Sequence, residues 1–543
     1  VAPRTELEAQ LCVLWQEVLG VEQIGIEDNF FRIGGDSIIS IQLVSKLRRA
    51  GHTIQVRSIF DAQTISQQAQ LLEQNTTQRI EAEEGVLVGE FPLLPIQQWF
   101  FDQSFAKANH WNQALSIDIP EHISLLEVES ALCKLAFKHD MLRCCFENIN
   151  GEYSQVFNNE VTPWKGTLET INVRGESEEE LFDTLTKLQE NFDLYNGPLW
   201  TAAYLTGFTD GSVKVFFAFH HLIIDAVSWR IIADDMQRLL TAQTLGEKSS
   251  SYRQWVQLIQ DYHKHNISEL KYWKQLQLNE SIKLDLEVPY STNLTVDQTT
   301  TEQLLRSANK GYQTNINDLI LSALSISLCK YFGTSTYTIN IESHGRAEID
   351  SSIDLSETIG WFTTLFPIKL KSLDSVGDVI SYTKEMLKEI PNNGVGYGSF
   401  VKAGLLPVAK QNIVFNYLGQ IGGNASSKKY WEINNSSVGN VSSELNNDVG
   451  LLNINCFVKT GCLNISIDSK LSKEKVEKFK WLFNKSLQYV IQHCISVAEK
   501  GGVKTASDYG TAKLSLRQIE KIKEKSKKIN SQVSTNKKRK VLI

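Results

Sequence analysis

The chain has 543 residues, of which 42% are hydrophobic and 22% are charged. These values are typical of a globular protein with a sizeable core. Its 55 basic and 62 acidic residues give a net charge of -7, which argues against a nucleic acid as partner of the chain as a whole. No apolar stretch reaches the ~18 residues that a membrane-spanning helix needs, so no membrane partner is predicted.

The charge is unevenly distributed along the chain. Residues 513–543 contain eleven Lys or Arg and two Glu, or +9, so the preceding 512 residues carry -16. Within this basic tail, residues 514–529 have the spacing of a basic helix, and residues 537–541 resemble a nuclear localisation signal only by chance. One interpretation of the tail is a solvated, disordered end.

Eight cysteines are present, and none forms a CxxC pair or a zinc-type cluster with paired histidines. Most of them lie in apolar runs, so we expect buried, reduced thiols, no metal and a cytoplasmic location. The N-terminal residues lack the features of a signal peptide and an initiator methionine. We therefore expect the chain to be a piece of something longer.

The first 75 residues predict a self-contained helical unit. Apolar residues recur at 4-3-4 spacing on one face of a first helix, which Gly20 ends. Further helical segments follow at residues 37–50, 56–61 and 65–74. We expect a small four-helix bundle over residues 1–75 and a polar, aperiodic linker over residues 76–90.

From residue 91 onward, helix-like segments alternate with β-rich segments, which predicts α/β layers. The clearest are a helical segment at residues 125–139 and β-rich runs at 213–224, 336–342, 364–370 and 462–467. About 420 residues are too many for one sheet, so we expect two lobes, at about 91–275 and about 276–512. The basic tail then occupies residues 513–543.

Residues 28–38 read DNFFRIGGDSI, and the two glycines allow a tight turn before a predicted helix. Asp36 and Ser37 lie at the N-terminus of that helix, where a hydroxyl can project into solvent. The free N–H groups and the helix dipole there favour an anion such as a phosphodiester. The alternative is a plain helix cap, which Asp and Ser commonly provide.

A second motif, HHxxxD, follows a β-rich run. Strand alternation sends the side chains of His220 and His221 to opposite faces, so one can face a channel while the other supports it. Histidine suits proton transfer because its reference pKa is ~6.5. The alternative is a structural His pair in an apolar strand, with Asp225 shaping the loop. The pattern also occurs in acyltransferases of the chloramphenicol acetyltransferase type, so it indicates a fold superfamily better than a reaction.

The second half of the chain offers further titratable and polar groups. Glu342 ends a predicted strand within ESHGR and can act as an opposing acid or base, or else form a salt bridge in a surface loop. The aromatic run IGWFT at residues 359–363 can line a tunnel or fill a core. The Gly-rich loop at residues 391–398 lacks the strand–turn–helix context of a phosphate cradle. Asn416 and Tyr417 offer an amide and a phenol near a strand end.

Residues 4–74 resemble a peptidyl or aryl carrier domain of nonribosomal peptide synthetases, because DNFFRIGGDSI matches the phosphopantetheine attachment motif of that family. The resemblance implies 4′-phosphopantetheine on Ser37, attached by a phosphopantetheinyl transferase. Its thiol would hold an aminoacyl or peptidyl group as a thioester. Asp36 before the serine resembles carriers that serve an epimerization domain, whereas carriers in front of condensation domains tend to have His there.

Residues 91 to about 512 resemble an epimerization domain of these synthetases, which belongs to the condensation-domain superfamily. The resemblance implies a two-lobed α/β fold like that of chloramphenicol acetyltransferase. The motifs follow in family order: PIQQWF at 95–100, KHDMLR at 138–143, HHLIIDAVSW at 220–229, NDLILSAL at 317–324, ESHGRA at 342–347, ETIGWFTTLFP at 357–367, PNNGVGYG at 391–398 and FNYLGQ at 415–420. PIQQWF, GWFT, GVGYG and FNYLGQ separate this family from ordinary condensation domains.

The resemblance implies an isomerase that inverts the Cα of an L-aminoacyl or peptidyl thioester on the carrier, giving a D/L mixture for antibiotic biosynthesis. It assigns the two opposing catalytic groups to His221 and Glu342, and polar assistance to Asn416 and Tyr417. The expected supporting residues are His220, Asp225, Trp229, His344 and Arg346. Among these, Asp225 and Arg346 are expected to form a buried charge pair.

Two departures from the family pattern favour alternatives. Ala226 stands where the family usually has Gly, and ESHGRA, with Ser343 and Ala347, stands where it has EGHGRE. A left-handed backbone would be strained at Ala226 or Ser343, which predicts reduced activity. Ala226 and Ala347 support one alternative, a catalytically impaired carrier-docking platform. The other is a peptide-bond-forming condensation domain, against which GGDS, Glu342 and FNYLGQ argue.

The resemblance also implies partners. These are an upstream adenylation domain and a downstream condensation domain of the synthetase, in addition to the transferase and the thioester substrate. In family terms, the basic tail at residues 513–543 would end the domain and dock the next synthetase. The linker keeps the carrier at a high effective concentration near the catalytic domain, so weak docking suffices.

Overall fold

A computed structural model describes residues 1–74, 80–158, 168–276, 289–409, 412–421, 430–431, 433–434, 438–446 and 450–509. The start of the predicted linker and the residues after 276, where the two predicted lobes join, lie outside these ranges. The basic tail, with its predicted helix at 514–529, also lies outside them. The predicted bounds of linker, lobes and tail stay predictions.

Residues 1–74 form a helical bundle. Its helices are α1 (Glu6–Leu19), α2 (Ser37–Arg49), α3 (Val56–Asp61) and α4 (Ile65–Gln74). Gly20 ends α1 in the left-handed conformation, with φ of 63°, as predicted. The apolar faces enclose a core in which Leu11, Trp15, Phe30 and Ile59 are fully buried. The helical periodicity of the sequence therefore predicts this bundle closely.

The rest of the described chain alternates between helices and strands. Its helices are α5 (Pro95–Asp102), α6 (Leu125–Lys138), α7 (Glu178–Gln189), α8 (Ala226–Leu240), α9 (Tyr252–His265), α10 (Leu270–Gln275), α11 (Gln298–Glu302), α12 (Asn309–Tyr312), α13 (Ile316–Phe332), α14 (Val376–Glu389), α15 (Tyr397–Lys402) and α16 (Lys473–Glu499). Its strands are β1 (Gly89–Pro92), β2 (Asn112–Ile119), β3 (Cys144–Ile149), β4 (Glu152–Phe157), β5 (Glu169–Asn172), β6 (Trp200–Thr206), β7 (Val213–His220), β8 (Tyr290–Val296), β9 (Thr336–Ser343), β10 (Thr364–Lys371), β11 (Ile413–Ile421), β12 (Ile433–Asn434), β13 (Leu452–Lys459) and β14 (Cys462–Ser469). Short 3₁₀ turns cover Phe30–Ile33, Asp140–Arg143, His221–Ile223, Ile267–Glu269, Pro391–Gly394 and Ala506–Tyr509, and a π-helical turn covers Gln303–Ser307.

The strands form three sheets in the described residues. Their orders are β1-β4-β3, β12-β2-β7-β6-β5 and β10-β9-β11-β13-β14-β8. β2 and β7 run antiparallel, with Asn112 opposite His220, whereas β11 runs parallel to both β9 and β13. The HHxxxD segment therefore follows the end of β7 in one sheet, and Glu342 lies near the end of β9 in another.

The chain divides into two compact units. The first consists of Val1–Thr301, Thr338–Lys369 and Pro391–Lys480. The second consists of Glu302–Tyr337, Leu370–Ile390 and the residues from Trp481 onward, and within it α13 packs on α14. All predicted site residues belong to the first unit, together with the carrier.

Residues 80–88 of the predicted linker contain neither helix nor strand, and Gly89 already begins β1. They nevertheless make specific contacts. The N–H of Glu81 donates to the carbonyl of Ser352 over 2.9 Å, and Glu83 pairs with Arg253 at 2.7 Å. This part of the segment therefore runs along the larger domain.

In the part of the chain that the structure describes, no helix is both long and apolar enough to cross a membrane. Among the same residues, no group of three His, Cys, Asp or Glu side chains could hold a metal ion. All eight cysteines are free thiols, and only Cys133 and Cys462 are not buried, which agrees with the expectation for this residue type.

Candidate active site and carrier contact

Glu342 and Asn416 lie side by side on adjacent parallel strands. β11 pairs with β9 so that Val414 faces Asn340 and Phe415 faces Ile341, and Asn416 comes next to Glu342. Asn416 Nδ2 donates a hydrogen bond to Glu342 Oε2 over 2.7 Å. Strand register thus joins two side chains that are 74 residues apart in the sequence.

The protonation of Glu342 is set by its surroundings. Burial disfavours the charged form and raises the pKa of this carboxyl to about 7. The hydrogen bond from Asn416 acts in the opposite direction, because it stabilises the carboxylate. Near neutral pH, Glu342 is therefore present both as acid and as carboxylate, which suits a group that exchanges protons with a substrate.

His221 packs against two tryptophan rings that also contact each other, with their centroids 5.3 Å apart. The ring centroids of Trp111 and Trp361 are each 4.6 Å from that of His221. His221 Nδ1 faces the carbonyl of Ile224 at 3.0 Å, so it carries the proton and leaves a lone pair on Nε2. Gln113 Nε2 donates to this Nε2 over 2.7 Å. Burial lowers the pKa of His221 to about 4, so the ring is neutral at pH 7.

His220 has a different environment from its neighbour. It is the last residue of β7 and is fully buried. Its Nε2 faces the carbonyl of Ala108 at 2.8 Å, and its Nδ1 accepts from the N–H of Leu222 over 3.3 Å. Burial lowers its pKa to about 3. With both ring nitrogens bonded to backbone, His220 supports the turn that carries His221.

A buried ion pair connects the two segments that carry His221 and Glu342. Asp225 lies four residues after His221, and Arg346 lies four residues after Glu342. Arg346 Nη2 is 3.0 Å from Asp225 Oδ1, and both side chains are almost inaccessible to solvent. Asp225 also accepts from the backbone N–H of Phe362 over 3.2 Å. This is the ion pair that the sequence predicts.

The remaining supporting residues lie around this pair. His344 Nδ1 accepts from the N–H of Arg346 over 3.1 Å, and burial lowers the pKa of its ring to about 4. Trp229 lies on α8, and its indole N–H is buried without a hydrogen-bond partner among the described residues. Both residues therefore belong to the segments that hold Asp225 and Arg346.

The departures from the family pattern cause no backbone strain. Ala226 is the first residue of α8 and Ser343 is the last residue of β9, and neither has a positive φ. In the same loop, Gly345 has a φ of 68°, and a Cβ there would come within 1.7 Å of the carbonyl oxygen of Phe362. The position that requires glycine is thus still glycine, and the strain considered for Ala226 and Ser343 is absent.

Ser37 begins α2 and is exposed, and Asp36 caps that helix. Asp36 Oδ1 accepts the N–H groups of Ile38 and Ile39 over 2.9 and 2.8 Å. The plain helix-cap interpretation therefore describes Asp36, and it leaves the hydroxyl of Ser37 directed at solvent. Such a hydroxyl at the N-terminus of a 13-residue helix fits attachment of a phosphodiester-linked group.

Beside this serine lie three buried polar atoms without a hydrogen-bond partner among the described residues: Asp36 Oδ2, Arg230 Nη1 and Tyr417 Oη. Burial raises the pKa of Asp36 and also that of Tyr417, although the positive charge of Arg230 acts against both shifts. These atoms leave polar groups available beside the attachment point, so the residues fit a phosphopantetheine arm.

The structure separates the side chain of Tyr417 from that of Asn416, its neighbour in the FNYLGQ motif. Neighbouring residues of β11 point to opposite faces, so Tyr417 does not share the face on which Asn416 meets Glu342. Its charged neighbours are Asp36 of the carrier and Arg230 of α8. Tyr417 therefore lies at the carrier contact.

The carrier meets an acidic group of the larger domain through α2. Arg49 pairs with Glu357 and, at 3.2 Å, with Asp235, and both carboxylates are buried. Arg48 Nη1 lies 2.6 Å from Asp354 Oδ2. Lys138 Nζ also contacts both buried carboxylates, that of Asp235 at 3.2 Å and that of Glu357 at 3.4 Å.

A second contact involves α3 and the turn before α2. Glu348, next to Ala347, accepts the backbone N–H groups of Val56 and Arg57. Gln420 Nε2 donates to the carbonyl of Gly34 over 3.0 Å. The carrier is thereby positioned with Ser37 close to the end of β11.

Sequence reasoning missed Gln113, Trp111 and Arg230. No motif marks Gln113 or Trp111, because their contacts with His221 arise only from the pairing of β2 with β7. Arg230 directly follows the HHLIIDAVSW motif, so a basic residue one position beyond a recognised motif was the available signal.

Two family models match the chain. The condensation-domain model matches residues 88–515, and the phosphopantetheine attachment site model matches residues 9–72. Together they bear out the predicted fold class, a small helical carrier domain followed by a two-lobed α/β domain of the condensation type.

Several curated peptide synthetases are similar to nearly the whole chain. Tyrocidine synthase 2 of Brevibacillus parabrevis is 32% identical over 556 residues, covering 96% of this chain and 15% of the relative. Bacitracin synthase 2 of Bacillus licheniformis is 32% identical, covering 98% and 21%. Tyrocidine synthase 1 of Brevibacillus parabrevis is 30% identical, covering 96% and 51%. The chain thus spans about half or less of the length of these relatives.

Solved structures add a comparison of folds. The epimerization domain from the third module of tyrocidine synthetase B is 28% identical with a TM-score of 0.69, covering 76% of this chain and 100% of that chain. The condensation domain of the Monacolin K polyketide synthase is 14% identical with a TM-score of 0.60, covering 76% and 99%, and shares the fold. This chain therefore belongs to the condensation-domain family of nonribosomal peptide synthetases, with a phosphopantetheine attachment domain at its N-terminal end.

Proposed function

We propose that this chain epimerizes the Cα of an L-aminoacyl or peptidyl thioester held on its own carrier. The observation that carries the proposal is Glu342, a carboxyl with a pKa of about 7 that Asn416 holds at the end of a neighbouring strand. The 28% identical epimerization domain, matched over its full length, supports this reaction. The 14% identical condensation domain supports the fold alone.

Ser37 is the proposed attachment point of 4′-phosphopantetheine. When bound, this group supplies a thiol that carries the amino acid as a thioester. Arg230 offers a positive charge to the phosphodiester, and Tyr417 and Asp36 offer polar atoms beside it. These three residues then bind and orient, and take no part in proton transfer.

Inversion at Cα requires that one proton leaves one face and another arrives on the opposite face. The neighbouring thioester carbonyl makes the Cα proton acidic. Glu342 holds a proton on its carboxyl below about pH 7, and His221 offers a lone pair on Nε2 above about pH 4. One of the two groups therefore carries a proton that it can donate, and the other has a lone pair that can accept one. Proton exchange on the two faces of Cα requires this combination.

The other predicted residues act through these two. Asn416 orients Glu342, and His220 supports the turn of His221. Asp225, Arg346, His344 and Trp229 brace the segments that carry both groups. We expect Gln113 to hold the ring of His221 until a substrate displaces it.

The rival functions have weaker support. The hypothesis of an impaired docking platform rests on Ala226 and Ala347, and Ala226 has no positive φ. The loss of a carboxylate at Ala347 is accompanied by Glu348, which contacts the carrier. The GGDS sequence of the carrier, Glu342 and the FNYLGQ motif argue against a peptide-bond-forming condensation domain.

The proposed partners follow from the family. The relatives are synthetases of which this chain spans about half or less, so we propose that an adenylation domain loads the carrier and that a condensation domain uses the product. A phosphopantetheinyl transferase would modify Ser37.

The test is to load Ser37 with an L-aminoacyl group and to follow the D/L ratio of the thioester with time. The wild type should approach a D/L mixture, and Glu342→Gln or His221→Ala should slow the approach by about a hundredfold or more. The exposed residues Glu169 and His265 provide matched controls, as Glu169→Gln and His265→Ala. A peptide formed with a second loaded carrier would indicate condensation, and an unchanged L ratio in the wild type would indicate a platform.

A further inference from the structure

An apolar cavity of about 240 Å³ lies within the first compact unit. The large apolar side chains that line it come from α5, α9, α15 and the segment around β10: Trp99, Trp255, Ile259, Phe362, Leu365 and Val401. The cavity also has polar lining. Asn340 Oδ1 and Thr364 Oγ1 are buried without a hydrogen-bond partner among the described residues.

Two lining residues of the cavity, Asn340 and Trp99, lie near the two proposed proton-transfer groups. Asn340 lies two residues before Glu342 on β9, so both side chains face the same side of the sheet, about 7 Å apart along the strand. The ring centroid of Trp99 lies 6.2 Å from that of Trp111 and 6.4 Å from that of Trp361, the two rings that contact His221. The cavity is therefore close to both proposed groups, which makes a substituent of the reacting carbon its candidate occupant.

The size and chemistry of the cavity select what it can hold. A cavity of ~150 Å³ lined by apolar side chains binds benzene, so about 240 Å³ has room for an aromatic ring and its linking methylene. Aromatic walls favour edge-to-face contacts with such a ring. The two charged lining residues, Asp102 and Lys402, are exposed and bonded to Gln98 and Gln260. The interior therefore suits an uncharged group.

We infer that this cavity binds a large apolar side chain of the substrate acyl group, aromatic or branched aliphatic, at the residue whose Cα is inverted. The inference rests on the proposed function and adds a substrate class to it. The same chemistry can also come from the residue that precedes the reacting one in a peptidyl substrate, and the test separates these two sources.

The first test compares rates of epimerization on Ser37 for L-phenylalanyl, L-leucyl, L-alanyl and L-phenylalanyl-L-alanyl groups. Phenylalanine and leucine should react at least about tenfold faster than alanine, because an apolar pocket discriminates by about this much or more per missing carbon group. If the dipeptidyl group reacts as fast as phenylalanine, the cavity binds the preceding residue and the assignment to the reacting residue is overturned.

Two variants of one lining residue test the cavity itself. Val401→Phe fills it and should lower the phenylalanine-to-alanine rate ratio towards one. Val401→Ala widens it and should raise the rate for tryptophan relative to phenylalanine, which keeps the inference testable if the larger side chain prevents folding. Val88→Phe is the matched control, because Val88 is 46% exposed and does not line the cavity. An unchanged ratio in both Val401 variants would overturn the inference.

A binding measurement separates this inference from the proposed reaction. para-Fluorophenylalanine, attached to the arm on Ser37 through an amide, gives a fluorine NMR signal that should shift or broaden in the wild type and become solvent-like in Val401→Phe. A shifted signal without any epimerization would support the cavity assignment and contradict the proposed function. Epimerization with a solvent-like signal and equal rates for phenylalanine and alanine would support the proposed function and contradict the cavity assignment.

Discussion

At the scale of single residues, burial shifts the pKa values of Glu342 and His221 in opposite directions. Burial disfavours charge, so it raises the pKa of Glu342 to about 7 and lowers the pKa of His221 to about 4. Between these values, the pair holds one proton. Inversion from L to D and from D to L each requires one protonated group and one unprotonated group. This protonation state therefore serves both directions.

The rate of epimerization should therefore depend on pH with a bell shape. Above about pH 7, Glu342 loses its proton and neither group can deliver one, and below about pH 4 both are protonated and neither can accept one. The limb of the pH profile that can be measured most readily is the one at higher pH. There, the rate of change of the D/L ratio should fall as pH rises through about 7. A rate that rises or stays constant from about pH 5 to about pH 9 would contradict this assignment.

Asn416→Ala tests the origin of the upper limb. Its N–H group stabilises the carboxylate of Glu342, so removing it should raise the pKa of Glu342 and move the limb to higher pH. Asn293→Ala changes the same residue type at an exposed position of β8 and should leave the limb in place.

At the scale of elements, strand register and one ion pair bring the site together. The parallel pairing of β9 with β11 places Glu342 beside Asn416, and the antiparallel pairing of β2 with β7 places Gln113 near His221. The Asp225–Arg346 pair joins the segments that follow β7 and β9. The geometry of the proposed catalytic pair should therefore depend on this buried charge pair.

Breaking that pair should destabilise the protein strongly. Arg346→Met leaves Asp225 as an uncompensated buried charge, which costs about 3–5 kcal/mol of the free energy of unfolding. The double variant Asp225→Asn/Arg346→Met should lose less than the two single changes together, because no isolated charge remains. Denaturant unfolding measures both.

The control for this prediction is Arg57→Met, which removes the exposed ion pair with Asp61 and should have a small effect. An Arg346→Met protein as stable as Arg57→Met would show that the buried pair is dispensable.

At the scale of the whole molecule, carrier and catalytic domain share one chain and a defined contact. The basic end of α2 meets the buried carboxylates of Asp235 and Glu357, and Ser37 at the other end of α2 begins the helix near Gln420. A covalent connection gives the contact a high effective concentration, so modest attraction is sufficient. The contact orients the attachment point towards the domain that holds Glu342 and His221.

Reversing one charge at this contact should uncouple the domains. Arg49→Glu places a carboxylate beside Asp235 and Glu357 and should slow epimerization on Ser37 by about tenfold or more. Arg32→Glu makes the same charge change at an exposed carrier position and should leave the rate within about twofold. Equal rates for the two variants would exclude this contact as the productive one.

Much of the architecture was predictable because local patterns determine it. The carrier helices at 56–61 and 65–74 have the predicted bounds, since short-range apolar periodicity and glycine positions define them. The β-rich run at 213–224 predicts a strand that is too long, because β7 ends at His220 and His221–Ile223 forms a 3₁₀ turn. At this change of structure, the rings of His220 and His221 each bond to a backbone carbonyl. Apolar composition does not show where a strand stops.

The family, the order of carrier and catalytic domain, and the candidate residues Ser37, Glu342 and His221 can all be recognised in the amino-acid sequence, because motifs and periodicities are local. The contacts between side chains required the tertiary structure. It paired Glu342 with Asn416, placed Tyr417 at the carrier contact, and put Gln113 and Trp111 on His221. These contacts depend on strand register and on long-range packing, which bring together residues about a hundred positions apart and have no local signature in the chain.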